Sequence, residues 1–426
     1  MLRFVQVSLL CLGLPTAVSG QPVPRELTLA DALRLAAERN PTVAAARNLI
    51  EAAEADRVTA RQRPNPALTF DSEGASPFRT QSANDGHEYA VRADQEIEIG
   101  GRRGLRIRAA DQGVEVAKAT YRDQLRRLEV EVRRAYFQVV LARTDQGVSA
   151  SALAEIDRVI ELNRARLKVG EISGAELRRV QVERLRFQDD VFAAELAVRN
   201  ARAALLALLN VADLRQTFEP VDPLAPPAVD VTTLLASITR ISGTANSVAS
   251  LPRGDIQAAR LGERQAETST RLQRALRSPM PTIGGGYKHN GGNDTVVFGV
   301  TVPLPLFSRN QGPIARAEAE RRAAEQRATA VERQAALEIQ QAVNAVEINR
   351  ERVSYIEREY LANAREARDV VLASYRLGAA DLIDLLDAQR AFRDTSRTYN
   401  RALFEQRLSL IELAAAIGAS PEGSKP

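Results

Sequence analysis

Two segments of the chain alternate between apolar and polar residues, which is the pattern of a β-strand with one apolar face. From Tyr89 to Ile99, apolar side chains occupy every second position except that of Gln95. The segment from Val296 to Leu306 has the same apolar period, and a shorter candidate strand precedes each of the two, at Ala67 to Glu73 and at Thr282 to Lys288. Each longer segment has about the 9 to 11 residues that a tilted membrane strand needs.

These four candidate strands fit two structures. One is a pair of hairpins in a soluble sheet with one buried face. The other is a membrane barrel, although four strands cannot close one, since about eight are the practical minimum. Nothing else in the sequence could cover the apolar face, so we expect strands from several subunits to close the barrel. Three copies would supply twelve strands.

Helical patterns extend over unusual lengths in two other segments. No proline occurs from Leu105 to Lys168, which at about 1.5 Å per residue predicts a rod of about 90 Å. A second rod is predicted from Ile314 to Leu377, where apolar residues recur seven positions apart and favour coiled-coil packing. These residues are Ile339, Val346, Val353 and Tyr360, with Val343 and Ile356 beside them.

The chain also repeats itself. Arg166-Leu-Lys-Val-Gly170 resembles Ser374-Tyr-Arg-Leu-Gly378, which lies 208 positions later, and Pro64-Asn-Pro66 parallels Pro279-Met-Pro281. In each half a rod ends at a glycine turn and a second helix returns, so the sequence predicts two antiparallel helical hairpins. We divide the chain into a signal peptide (1–20), a first repeat (21–217), a linker (218–251), a second repeat (252–418) and a short tail (419–426).

Composition supports a secreted, elongated protein. The first twenty residues carry Arg3, an apolar run and small residues near the end, as a secretory signal does. Cys11 is the only cysteine and lies in that run, so the mature chain should lack disulfides; lipid attachment at Cys11 is an alternative. Charged residues make up 26% of the chain with a formal charge of +4, and they are interspersed, which does not favour a nucleic-acid partner. Beyond the signal, no stretch approaches the ~20 apolar residues of a spanning helix.

Residues that could support catalysis or metal binding are sparse. We find no Ser/His/Asp arrangement, phosphate-binding loop or cofactor motif, and therefore predict no enzyme activity, no cofactor and no dedicated metal site. The histidines, His87 and His289, are expected in the loops that join the paired strands. Gly284-Gly-Gly286 falls in a predicted strand and indicates close backbone packing.

Taken together, these motifs resemble the TolC-like outer-membrane efflux family over nearly the whole mature chain. The resemblance rests on Leu27-Thr-Leu-Ala-Asp-Ala-Leu33 with Asn40-Pro41, on the duplicated order of strands and hairpins, on Tyr375-Arg-Leu-Gly378 and on Asp384-Leu-Leu-Asp387. It implies a mainly α-helical fold in which a periplasmic α-barrel of long hairpins joins a 12-stranded β-barrel of a homotrimer in outer-membrane lipid. An equatorial collar would include the linker.

The family resemblance also implies a function. Such proteins are passive exit ducts that work with a periplasmic adaptor and an inner-membrane pump, here expected to be of the resistance-nodulation-division (RND) type. The stretch Glu98-Ile-Gly-Gly-Arg-Arg-Gly104 further resembles the branch that exports heavy-metal cations. Two alternatives stay open: the same duct serving organic compounds or protein secretion, and a soluble periplasmic coiled-coil adaptor.

Four residues are candidates for the periplasmic aperture of such a duct. Asp384 and Asp387 match the family residues that line the entrance, Glu176 is the repeat partner of Asp384, and Tyr375 matches a position that links neighbouring hairpins. Where the family pattern has a nearby arginine, this chain has Ala380. A ring of carboxylates would favour cations; the alternative for the aspartates, Asp381 included, is an ordinary solvated helix start.

Overall fold

A computed structural model of the protein describes residues 22–73, 88–225, 248 and 251–419. The predicted signal peptide with Cys11, the loop histidine His87, residues 226–247 of the linker and residues 420–426 of the tail lie outside the described residues. Helices dominate the described part, joined by a few short strands. The helices are α1 (Leu29–Arg39), α2 (Pro41–Arg61), α3 (Arg102–Lys168), α4 (Gly174–Leu208), α5 (Gly254–Ala275), α6 (Gln311–Tyr355), α7 (Ala362–Arg376) and α8 (Leu382–Ala416), with a π-helical turn at Ile356–Leu361 between α6 and α7.

The predicted helical hairpins are confirmed, and their boundaries repeat with the offset seen in the sequence. The first hairpin is α3 with α4, and the second is α6–α7 with α8. Helices α3 and α7 end 208 positions apart, α4 and α8 begin 208 positions apart, and they also end 208 positions apart. The duplication therefore preserves the turns and the returning helices residue by residue.

Glycine ends both rods for the same physical reason. Gly170 and Gly378 have φ angles of +81° and +77°, in the left-handed region that costs glycine little. Behind each glycine, backbone N–H groups close back onto the last turn, as from Glu171 N to Arg166 O at 3.0 Å and from Ala379 N to Ser374 O at 2.8 Å. Both rods thus end in Schellman-type caps.

The strands form an antiparallel sheet in the order β2-β3-β5-β6. They are β2 (Ala67–Glu73), β3 (Glu88–Glu96), β5 (Thr282–Asn290) and β6 (Asn293–Thr301). The register pairs Phe70 with Val91, Val91 with Tyr287 and Tyr287 with Val296, so these side chains share one face. That face also carries Leu68, Phe298 and Val300 and is exposed in the single chain. The opposite face carries Val297 and mostly polar side chains, among them Asp71, Arg92, Asp94, Glu96 and Lys288.

Three predictions for the sheet were wrong in detail. The strand predicted from Val296 to Leu306 ends at Thr301, because Pro303 and Pro305 have no N–H group for a ladder bond. The strand predicted from Tyr89 to Ile99 ends at Glu96. His289 does not lie in a loop; it is in β5 opposite Asp294, and its ring stacks on Tyr89 with centroids 4.9 Å apart.

The close backbone packing predicted at the glycine run is observed. It predicts different effects of alanine substitution at two glycines. A methyl group at Gly286 in β5 would overlap the Val91 carbonyl oxygen. At Gly299, which lies in β6 on the same face of the sheet, a methyl group would meet nothing within 4 Å. We expect Gly286→Ala to destabilise the protein by about 1–3 kcal/mol, as overpacking does, and Gly299→Ala to leave it nearly unchanged. Denaturant unfolding of the detergent-solubilised protein measures both, and equal losses would contradict the packing argument.

The chain folds into two compact units, each built from segments of both repeats. Unit 1 comprises residues 1–41, 131–227 and 349–408, and unit 2 comprises residues 42–130, 228–348 and 409–426, as far as they are described. Unit 1 contains both glycine turns. Unit 2 contains the four-stranded sheet.

In unit 2, the Gly-Gly-Arg-Arg motif joins the sheet to α3. Gly100 and Gly101 both have positive φ angles, and α3 begins at the next residue. The buried Arg102 donates to Ser278 O at 2.5 Å just beyond α5, and Arg103 donates to Arg61 O at 2.8 Å at the end of α2. The motif therefore has a structural role, since its arginines satisfy carbonyl groups at two helix ends.

In unit 1, the N-terminal segment and the start of the linker pack against the long helices. Strand β1 (Glu26–Leu27) pairs in parallel with β4 (Glu219–Pro220). The buried Tyr136 hydroxyl lies 2.8 Å from Leu27 O and 2.6 Å from an Asp222 carboxylate oxygen. Arg407 stacks on Phe137 at 3.9 Å and donates to Ala225 O at 2.6 Å, which fixes the linker where it leaves this unit.

The second rod is not the single α-helix that its sequence suggested. Its apolar positions Ile339, Val346 and Val353 are buried, as the heptad pattern predicted. Tyr360 was predicted to continue this row and is instead exposed, because it lies in the π-helical turn that interrupts the heptad. None of the described helices is long and apolar enough to cross a membrane.

Candidate functional site

The ends of the two hairpins meet in unit 1 and bring two of the four candidate residues together. Tyr375, in the last turn of α7, is fully buried, and its hydroxyl donates to Asn163 Oδ1 of α3 at 2.7 Å. Burial raises the pKa of Tyr375 above its ordinary value, and the nearby Glu176 carboxylate contributes to the rise. The phenol is therefore a neutral hydrogen-bond donor at physiological pH, and it links the second hairpin to the first.

A second side chain of the first hairpin strengthens this link. The Arg166 guanidinium lies over the Tyr375 ring, 5.3 Å from its centroid, and donates to Tyr375 O at 3.0 Å and to Arg376 O at 2.8 Å. Those carbonyl groups lie at the C-terminal end of α7, where Tyr375 O also accepts from Gly378 N at 3.0 Å, so the cation complements the helix dipole. Asn163 and Arg166 thus hold the end of one hairpin against the other.

Sequence reasoning missed both of these partners. Asn163 lies seven positions after the buried Ile156, so it is a polar residue on the apolar side of α3. This position in the heptad could have identified it as a buried polar partner. Arg166 stands where the second repeat has Ser374, and this difference between repeats also marked the position. Asn163 is completely buried, and its Nδ2 has no hydrogen-bond partner among the described residues.

The three acidic candidates lie at the beginnings of the returning helices. Glu176 is in the first turn of α4, where the Ser173 side chain caps the helix by accepting from Glu176 N at 3.2 Å. Asp384 occupies the corresponding position of α8 and is exposed, and Asp387 follows one turn later. Carboxylates at these positions stabilise helix N-termini, so the structural role considered for them is compatible with the geometry.

The two aspartates differ in their partners. Asp387 accepts from Arg390 Nη1 at 3.2 Å, and Arg390 also pairs with Glu183 of α4. Within the part of the chain that is described, Asp384 makes no ion pair. Its negative charge is therefore the less compensated of the two. The same described residues contain no group of three or more His, Cys, Asp or Glu side chains arranged to hold a metal ion.

The hydrogen bond between Tyr375 and Asn163 predicts what removal of the Tyr375 hydroxyl group should do. Tyr375→Phe keeps the ring but leaves the buried Asn163 without its donor, which should weaken the contact between hairpins by about 1–3 kcal/mol. If this contact holds an aperture closed, the conductance of the purified protein in a lipid bilayer should rise. Tyr355→Phe is the control, since that tyrosine is exposed and its hydroxyl is 3.4 Å from the hydroxyl of Tyr360 alone; a rise with both variants would contradict a specific link.

Comparisons with known proteins agree with the fold. The family described as "Outer membrane efflux protein" matches residues 32–211 and 247–419. The cobalt-zinc-cadmium resistance protein CzcC of Cupriavidus metallidurans is 27% identical over 88% of this chain and 87% of its own length. The nickel-cobalt-cadmium resistance protein NccC of Alcaligenes xylosoxydans xylosoxydans is 26% identical over 76% and 70%.

A solved structure extends the likeness to three dimensions. The outer membrane protein VceC of Vibrio cholerae superposes with a TM-score of 0.74 at 20% identity, covering 92% of this chain and 97% of that one. The resemblance to TolC-like channels is thereby confirmed, and the alternative of a soluble adaptor is overturned. The family match covers more than half of the sequence, in both repeats, and the chain belongs to the outer membrane efflux protein family.

Proposed function

We propose that this protein is the outer-membrane exit duct of a tripartite efflux system and that it works as a homotrimer. The observation that carries the proposal is the two-faced sheet of unit 2. One face presents exposed apolar side chains such as Phe70, Phe298 and Val300, and the other presents charged ones. The strands of a membrane β-barrel have this composition, with one face toward lipid and the other toward water.

The edges of the sheet support a trimer. Among the described residues, strands β2 and β6 each pair on one side only, so each offers a row of backbone groups to another strand. If β6 of one copy pairs with β2 of the next, three copies form a closed twelve-stranded barrel, which removes both the open edges and the exposed apolar face. The proposed duct includes an equatorial collar formed by the linker, residues 218–251, and by terminal segments of the chain.

Such a duct conducts passively and needs no catalytic group. Energy would come from an inner-membrane pump, which we propose is of the RND type, joined to the duct by a periplasmic adaptor. Heavy-metal cations are the proposed cargo, supported by the names of two relatives and by the exposed carboxylates of Asp384 and Asp387. These carboxylates would attract cations without binding them tightly, as a conducting aperture requires.

Deletion of the gene tests the cargo. We expect growth to become sensitive to cobalt, zinc, cadmium, copper or silver salts, and not to a panel of dyes, detergents and antibiotics. Restoring the gene on a plasmid should restore resistance. Sensitivity to the organic panel alone would refute the metal cargo and favour a multidrug duct. A mass of one chain in detergent, with no protein in the outer-membrane fraction, would refute the duct itself.

A further inference from the structure

The π-helical turn at Ile356–Leu361 changes which residues of the second rod face the first hairpin. A π turn closes its hydrogen bonds over five residues instead of four and so holds one residue more than an α-helical turn. Residues after it are rotated by about 100° relative to their place in an uninterrupted α-helix, since each residue turns the helix by that angle. Tyr375 lies fourteen positions after the end of this turn.

The buried side of the rod records this shift. Val353, before the turn, packs against Ala402 of α8, and Tyr375, after it, packs among buried residues of α3 and α8. They are 22 positions apart, one more than three heptads. If the same sequence formed an uninterrupted α-helix, Ser374 would follow Val353 on the buried side and Tyr375 would be turned away.

The exposed side records the same shift independently. Tyr355, Val370 and Leu377 are each more than half exposed. Tyr355 and Val370 are 15 positions apart, one more than two heptads, whereas Val370 and Leu377 both follow the turn and are seven apart. On both faces of the rod, the spacing across the turn is therefore one residue longer than a whole number of heptads. After the turn, the spacing is again seven residues.

We propose that the π turn sets the rotation of Tyr375, and that it is thereby a positioning element of the aperture. This inference rests on the proposed function and on the hydrogen bond of Tyr375 that links the two hairpins. Its hydroxyl must reach Asn163 Oδ1 at 2.7 Å while its ring lies beneath Arg166. A rotation of about 100° breaks both contacts and brings a neighbouring residue to this position. Neither Ser374 nor Arg376 has an aromatic ring and a hydroxyl at that reach.

Two variants of the full-length protein test the inference. Insertion of an alanine after Glu366 adds one residue between the turn and Tyr375, so it rotates Tyr375 by about 100° out of phase. Deletion of Glu357 removes the extra residue of the turn, so the rod can continue as an uninterrupted α-helix in which Tyr375 lies three heptads after Val353 and keeps its wild-type phase.

We expect the insertion variant, reconstituted in a planar lipid bilayer, to conduct several-fold more than the wild type. The deletion variant should keep the wild-type conductance, which would separate rotation from general disturbance of the helix. Tyr375→Phe gives a second readout. It should raise the conductance of the wild type and of the deletion variant, and add nothing in the insertion variant, where Tyr375 already faces away.

Other results would overturn the inference. These are an insertion variant that conducts like the wild type, a deletion variant as leaky as the insertion variant, or an effect of Tyr375→Phe that is equal in all backgrounds. A wild-type protein that forms no channels would instead refute the proposed duct, so the two failures are distinguishable. Thermal unfolding of each variant in detergent checks that the trimer is intact before its conductance is compared.

Discussion

Replacing Arg253 with alanine should lower the free energy of unfolding by about 3–5 kcal/mol, the cost of removing one partner from a buried ion pair. Arg253 is 1% exposed in unit 2. Its guanidinium lies 2.6 Å from an Asp255 oxygen and 2.8 Å from a Glu338 oxygen, and donates to Ala416 O at 3.1 Å, at the end of α8. Alanine would leave the Asp255 carboxylate and the Ala416 carbonyl group without this partner.

A matched arginine in α5, the helix that Arg253 directly precedes, separates burial from charge. Arg260 likewise pairs with two carboxylates, those of Glu263 and Glu332, but its side chain is 44% exposed. Solvent screens such pairs, so Arg260→Ala should cost no more than about 1 kcal/mol. Denaturant unfolding of both purified variants at neutral pH makes the comparison. Equal losses would show that burial does not amplify the interactions of Arg253.

The same cluster predicts how stability depends on pH. Burial opposes ionisation of Asp255, but the Arg253 and Arg126 guanidinium groups outweigh it and hold the pKa of Asp255 below its ordinary value. A carboxyl with a depressed folded-state pKa contributes stability above its unfolded pKa of about 4 and loses that contribution as the pH falls through the folded value. Acid should therefore destabilise the wild type more steeply than Arg253→Ala in the range below about pH 4.

Local features made most of the helical architecture predictable. The rods end where Gly170 and Gly378 provide a left-handed turn, and the returning helices follow within a few residues. The strand ends were less predictable, since apolar alternation continues past Thr301 while Pro303 and Pro305 remove the ladder bonds. The π turn could not be predicted from the local sequence, because the heptads are regular on either side of it. The extra residue is apparent only in spacings that cross the turn, such as that from Val353 to Tyr375.

The candidate site was predictable only in part, because its key contacts join distant segments. Tyr375, Asp384, Asp387 and Glu176 follow from the family pattern and from the repeat. The partner of Tyr375 lies 212 positions earlier, in the other hairpin, and no sequence period relates Asn163 to it. Which aspartate keeps its charge uncompensated depends likewise on Arg390 and on its second partner in α4.

Asp384→Asn should reduce the preference of the channel for cations several-fold, and more than Asp387→Asn does. Three copies of Asp384 around a narrow passage would produce a negative potential that no adjacent arginine compensates. Asp387 shares its charge with Arg390 at 3.2 Å, so its loss changes the field less. Reversal potentials of purified channels in a potassium chloride gradient measure the permeability ratio, and the difference should grow as ionic strength falls below about 0.1 M, where screening weakens.

Asp394→Asn is the control for position along α8. Asp394 is an exposed aspartate of the same helix and pairs with Arg393 at 2.9 Å, but it lies three helical turns away from Asp384 and outside the hairpin turn. Its replacement removes the same charge from the protein and should leave the permeability ratio close to that of the wild type. If Asp394→Asn changed the ratio as much as Asp384→Asn, selectivity would arise from the total charge of the helix, and the carboxylates beside Gly378 would have no special role in the passage of cations.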